Sequence, residues 1–140
     1  MSGSREAKAA HYQRNKPLYL DRQRYGRKIR REFFTQLKLE VGCQACRYDK
    51  YPRALVIHHI DESLKTGSPE DMVHDKWSWD RIKKELKNCM VLCGNCHNSH
   101  HGGDFDANIH SNKSIQESKT YNEYDMINDL PARFLGHELR

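Results

Sequence analysis

Two cysteine pairs carry the most explicit chemistry in this chain, Cys43-x2-Cys46 and Cys93-x2-Cys96, each able to present two thiolates to one ion. Four thiolates in a tetrahedron make a preferred structural zinc site, saturated by its ligands and without reactivity of its own. The pairs are separated by 46 residues, well beyond the roughly 15–20 of a compact zinc module, so a substantial insertion must lie between the knuckles. Chance spacing is the plain alternative, but two independent x2 spacings rarely arise together. Cys89 is left over and reads as a small buried hydrophobe beside a strand.

With sulfur satisfying zinc, the histidines need another explanation. Five of the nine, His58, His59, His97, His100 and His101, fall in two short clusters beside the cysteines. If the second knuckle opens a helix, His97 and His101 stand at i and i+4 and project from one face, a common spacing for two imidazoles on one ion. His58 and His59 are neighbours on a strand-like run and point in different directions, so one can ligate while the other accepts a proton from water. His100 is better read as a solvated helix-end residue that favours the C-terminal dipole.

These groups need elements to hold them. From Asn15-Lys16-Pro17, read as a helix start, to Glu40, the residues Tyr25, Ile29, Phe33 and Leu37 recur every four positions and predict an amphipathic helix interrupted only by Gly26. A tight turn over Cys43–Cys46 follows, then a strand from Arg53 to Ile60. Residues 61–76, with Gly67 and Pro69, read as a loop. Ser78 caps a second helix carrying Trp79, Ile82 and Leu86. Met90-Val91-Leu92 is a second strand, and Gly94 to His101 is a short helix stopped by Gly102-Gly103. The remainder, 104–140, reads as an appendage with a helical piece interrupted by Pro131.

Bulk properties bound the class. A chain of 140 residues with 36% apolar residues fits one domain with a thin core, which ion binding would reinforce. The N-terminal MSGSREAKAA carries no apolar stretch and no 18-residue apolar run occurs, which predicts a soluble cytoplasmic protein with no membrane partner. Residues 1–53 hold 14 Lys/Arg against 5 Asp/Glu, whereas residues 54–140 hold 10 against 14. The basic first third points to a polyanion, and Arg22, Arg24, Arg27, Lys28, Arg30, Arg31 and Lys38 around the first helix read either as a solvated charged face or, beside a nucleic-acid-processing core, as phosphate contacts.

Together, Cys43-x2-Cys46, the strand LVIHHID, Asn88 and the run NCMVLCGNCHNSHH resemble the HNH endonucleases over roughly residues 40–103. The WSWDRIKKELKN stretch before Asn88 also resembles the helix that many zinc-bearing members carry. The resemblance implies an α+β fold with a ββα-metal (His-Me finger) core over 41–103, stabilised by zinc on four cysteines. It implies a basic helical extension over 1–40 and an additional segment over 104–140. The family letters fall on His59, Asn88 and His97. His59 would then be the general base that activates water, and Asn88 would orient that water or help bind metal. His58 and His97 would be ligands of one divalent ion, with His101 a third as in colicin-like members. Many relatives carry aspartate where this chain has His58. Carboxylate suits Mg2+ or Mn2+ and imidazole suits Zn2+, Ni2+ or Co2+, which leaves the catalytic ion open between them.

The expectation is therefore a metal-dependent DNA endonuclease or nickase acting as a monomer or homodimer. A zinc-stabilised nucleic-acid-binding module without catalysis is the alternative, although it needs only the cysteines and leaves His58, His59, Asn88, His97 and His101 unexplained. A zinc-dependent protein-interaction domain is a third reading, opposed by the basic N-terminal third.

Overall fold

The computed structural model describes residues 4–110 and 113–124. Over these residues the protein is mixed α+β and mostly helical, with one two-stranded antiparallel sheet. The first helix, α1 (Arg5–Val41), starts twelve residues before Pro17 because Ser4 caps it, accepting from the Ala7 N–H at 3.1 Å. Asn15 is no cap; its amide bonds back to the His11 carbonyl at 2.9 Å within the helix. Pro17 therefore sits inside α1. Gly42 ends it at φ +68°, donating to the Lys38 carbonyl at 2.8 Å and turning the chain straight into Cys43.

The apolar stripe is observed, with Ile29, Phe33 and Leu37 buried. Phe33, Phe34 and Leu37 belong to the same core as the sheet, so the last turns of α1 form part of the packed unit.

Strand β1 (Leu55–His59) pairs with β2 (Cys89–Cys93), setting Leu55 opposite Cys93 and His59 opposite Cys89. All of β2 is buried, including Cys89. Between the strands lie α2 (Pro69–His74) and α3 (Trp79–Leu86). Ser78 caps α3, accepting from the Arg81 N–H at 3.2 Å. Residues 61–76 are not the loop that Gly67 and Pro69 suggested. Ser68 and Asp71 form a reciprocal capping box that makes Pro69 the first helical residue, where a missing N–H costs nothing. Gly67 serves close packing: a Cβ there would lie 2.5 Å from the Trp77 ring.

β2 runs directly into α4 (Gly94–His101). The expected appendage is, where described, part of the core. Ala107 and Ile115 are fully buried, the latter on α5 (Lys113–Glu117). Tyr121 on α6 (Lys119–Glu123) is buried as well, and the Tyr124 ring packs 5.0 Å from Phe33 and 5.5 Å from Trp79. Short apolar anchors spread across turns give no periodic signal, which is why the sequence pattern missed them. The break expected at Pro131 lies outside the described residues. Among the described residues no helix is long and apolar enough to cross a membrane.

Candidate functional site

The first knuckle is built by backbone hydrogen bonds. Cys43 N–H donates to the Tyr48 carbonyl at 2.7 Å, Arg47 N–H to the Cys43 carbonyl at 2.8 Å, and Arg47 takes φ +70° to close the turn. Gln44 ties this knuckle to the second. Its N–H donates to the Val91 carbonyl and its side-chain Oε1 accepts the Val91 N–H, both at 2.9 Å, which lays Cys43 alongside β2 and Cys93. In the second knuckle Cys93 caps α4, its Sγ accepting the Cys96 N–H at 3.4 Å; Cys43 Sγ accepts the Cys46 N–H at the same distance.

The ligand atoms of Cys43, Cys46, Cys93 and Cys96 all lie within 4.8 Å of one another, with Cys46 Sγ 3.6 Å from Cys93 Sγ. A tetrahedral Zn–S site with bonds of about 2.3 Å has edges of about 3.8 Å, so the four thiols fit zinc. Burial pushes the Cys43 thiol up, but N–H groups of Cys46, Cys93 and Ala45 outweigh it and bring Cys43 down to about 7. Burial and the neighbouring sulfurs push Cys96 up. One thiolate thus forms readily while its neighbours resist ionising beside it, as expected of a sulfur cage that needs a cation to hold its charge. Cys89 is kept apart: burial pushes its thiol up to about 12, and it donates to the Glu85 carbonyl.

The second cluster lies where β1 faces α4. His58, His97 and His101 bring one ligand atom each within 4.8 Å of the others. His97 Nε2 and His101 Nε2 are 3.0 Å apart, close to the roughly 3.3 Å edge of a tetrahedral imidazole site. The i, i+4 spacing on α4 produces this pair, and register with β2 brings β1 over it; the His58 ring centroid is 5.4 Å from each. His58 is only 2% exposed, and its Nδ1 has no hydrogen-bond partner among the described residues. Burial lowers its pKa, keeping the ring neutral as a ligand requires.

His59 points away from this cluster, as alternation on a strand demands. It is 4% exposed; its Nε2 lies 3.7 Å from Glu85 Oε2, and that atom has no hydrogen-bond partner among the described residues. Burial lowers its pKa, Lys65 adds to that, and Glu85 together with a Gly67 backbone hydrogen bond opposes it. Thr66 fixes the carboxylate, donating its N–H and its hydroxyl to Glu85 at 3.0 and 2.8 Å.

A cavity of about 440 Å³ reaches both histidine sites, lined by His58, His59, His97 and His101 with Lys38, Arg53 and Lys65. A neighbouring groove continues from Lys38 along Arg27 and Arg31. Comparison with family models, curated proteins and solved structures finds no match. The site must therefore be judged by its own geometry.

That geometry corrects three expectations. Asn88 does not line the cavity; its Oδ1 accepts the Asp61 N–H at 3.0 Å and its Nδ2 donates to the Asp61 carbonyl at 2.8 Å, so its amide braces the turn after β1. Arg30 faces inward at 2% exposure, donating to the Trp77 and Gly26 carbonyls at 2.9 Å each and lying 4.7 Å above the Trp79 ring, which removes it from the phosphate-contact set. His100 is no solvated helix end. Its Nδ1 accepts the Ala107 N–H at 3.0 Å and its ring is 4.7 Å from that of His58.

Of the other basic residues, Arg24, Lys28 and Arg31 are exposed, while Arg22, Arg27 and Lys38 are half-buried. Sequence reasoning missed Glu85, Thr66, Asn108, Arg53 and Lys65. Only Arg53 and Lys65, flanking the His58-His59 pair, had a signal in proximity along the chain.

Proposed function

We propose that this protein is a metal-dependent DNA endonuclease or nickase with an HNH-type ββα-metal core, hydrolysing phosphodiester bonds. The observation that carries the reading is the division of labour at one cavity: three imidazoles converge on one point while a fourth, His59, lines the same space from the other face of the strand.

A divalent ion held by His58, His97 and His101 would polarise the scissile phosphate and stabilise the leaving oxygen. The three-imidazole donor set favours Zn2+, Ni2+ or Co2+ over Mg2+ or Mn2+. His59, neutral because it is buried, takes a proton from the water whose oxygen forms the new bond to phosphorus as the bond to the leaving oxygen breaks. The imidazolium so formed is stabilised by Glu85. Lys38, Arg53 and Lys65 receive the phosphates around the cut, and Arg27 and Arg31 extend the contact along the groove. The four cysteines would hold a structural zinc, which would tie the first knuckle to β2 and so fix α4.

The test is to incubate supercoiled plasmid with the protein and Mg2+, Mn2+, Ni2+ or Zn2+, beside the His59→Ala variant. Conversion to nicked or linear DNA by the wild type, reduced about 10²–10⁴-fold in the variant, is expected. No conversion with any ion removes the nuclease reading, and equal cleavage by the variant removes His59 as the base.

A further inference from the structure

The loop after α4 reaches back to the histidine cluster through one side chain. Asn108 Oδ1 lies 2.8 Å from His58 Nε2, and Asn108 Nδ2 donates to the Ile60 carbonyl at 3.1 Å. The Ile60 carbonyl fixes which way the amide faces: the flipped amide would set two acceptor oxygens against each other there. Oδ1 therefore faces the imidazole, and an acceptor in that place requires a proton on Nε2. In the neutral ring the lone pair is then on Nδ1, the buried atom without a hydrogen-bond partner among the described residues.

Asn108 is itself held from several directions. Its N–H donates to Asp106 Oδ1 at 2.9 Å, the adjacent Ala107 is fully buried, and the Ala107 N–H donates to His100 Nδ1. The loop that carries it is anchored by Asp104 N–H to the Ser99 carbonyl at 2.9 Å. A side chain so constrained is suited to orient a neighbour.

We infer that Asn108 is a positioning residue for the histidine metal site, selecting the His58 tautomer with hydrogen on Nε2 so that Nδ1 is the donor atom offered to the ion. The inference rests on the reading of His58, His97 and His101 as ion ligands. It assigns to residues beyond the expected 41–103 core a part in the site. It also gives His100 a use: as the acceptor for Ala107 it sets the loop that presents Asn108.

Two measurements on the zinc-loaded full chain test this. Long-range proton–nitrogen correlation spectra should show His58 as the Nε2–H tautomer in the wild type and as a mixture in Asn108→Ala. Calorimetric titration with Ni2+ should show binding about 10–100-fold weaker in Asn108→Ala, with zinc on the cysteines unchanged.

Wild-type His58 protonated on Nδ1, or Ni2+ binding equally tight in Asn108→Ala, overturns the inference while leaving the metal site. A wild type that binds no Ni2+ overturns both. A wild type that binds Ni2+ in an Asn108-dependent way but cleaves no DNA supports the inference and removes the nuclease reading.

Discussion

Cys46 Sγ stands 3.6 Å from Cys93 Sγ although 46 residues lie between them in the chain. Gln44 bonds the first knuckle to Val91 of β2, and the sulfur cluster closes the structure across the 46 residues between the knuckles. Structural zinc in small modules contributes apparent free energies of about 10–16 kcal/mol, comparable to the whole stability of a domain at about 5–15 kcal/mol. Treatment with a strong chelator, or Cys93→Ser, should therefore abolish the cooperative thermal transition as zinc is lost from the cysteines, a loss followed by elemental analysis. An intact melt after zinc loss would show that the core stands without it.

Glu85 and His59 should be coupled in activity. Glu85→Gln keeps an acceptor for Thr66 but removes the negative charge 3.7 Å from His59 Nε2. Nicking should fall in kcat by about 10-fold or more, since a base contributes about 10²–10⁴-fold and the variant keeps the base without its charge partner. KM for plasmid should be unchanged. In His59→Ala, the further Glu85→Gln change should have little additional effect on kcat, and additive losses would break the link.

Asn88→Ala should act on stability. It leaves the Asp61 N–H and carbonyl without their two side-chain partners, at a cost of about 1–3 kcal/mol, read as a lower melting temperature. Ni2+ affinity measured below the transition should stay close to that of the wild type. A large loss of affinity with an unchanged melt would instead place Asn88 at the ion.

Much of this arrangement was legible in the residues, for identifiable reasons. Cysteine spacing, the i, i+4 histidines and the alternation of His58 and His59 are local patterns, and helix and strand geometry converts them directly into direction. The start of α1 was not legible, because Asn15-Lys16-Pro17 imitates a helix start while Ser4 supplies the cap. Nor was α2, whose Ser68-Pro69 opening looks like a loop until Asp71 completes the capping box. The partners of the histidines, Glu85 and Asn108, come 26 and 50 residues later in sequence. Only tertiary packing brings them close, so no spacing could announce them.

Arg30 and Arg31, adjacent in sequence, should behave oppositely. Arg30→Ala removes a buried guanidinium from two carbonyls and from the Trp79 ring, and should destabilise by about 2–3 kcal/mol. Arg31→Ala, on an exposed groove residue, should stay within about 0.5 kcal/mol in stability. It should weaken DNA binding at low salt and reduce the slope of log affinity against log salt by about one. Thermal melts and salt-dependent binding to a short duplex separate the two, and an Arg31→Ala variant with an unchanged slope would take the groove out of the DNA path.

Glu40 gives the docking of α6 a pH dependence. Burial raises its carboxyl pKa, but hydrogen bonds from the Thr120 hydroxyl and from the Lys119 and Thr120 N–H groups at the start of α6 outweigh this and hold it below the ordinary carboxylate range. A group whose folded pKa is depressed contributes stability that is fully present above its unfolded value and is lost as pH falls through the folded one. Wild type should therefore melt above Glu40→Gln at pH 7, and the gap should narrow below the ordinary glutamate range and close once Glu40 is protonated in the folded state. The same profile should appear when the transition is followed through Tyr121 and Tyr124, which α6 and its end hold against the core. A gap independent of pH would mean that the carboxylate charge has no part in holding α6.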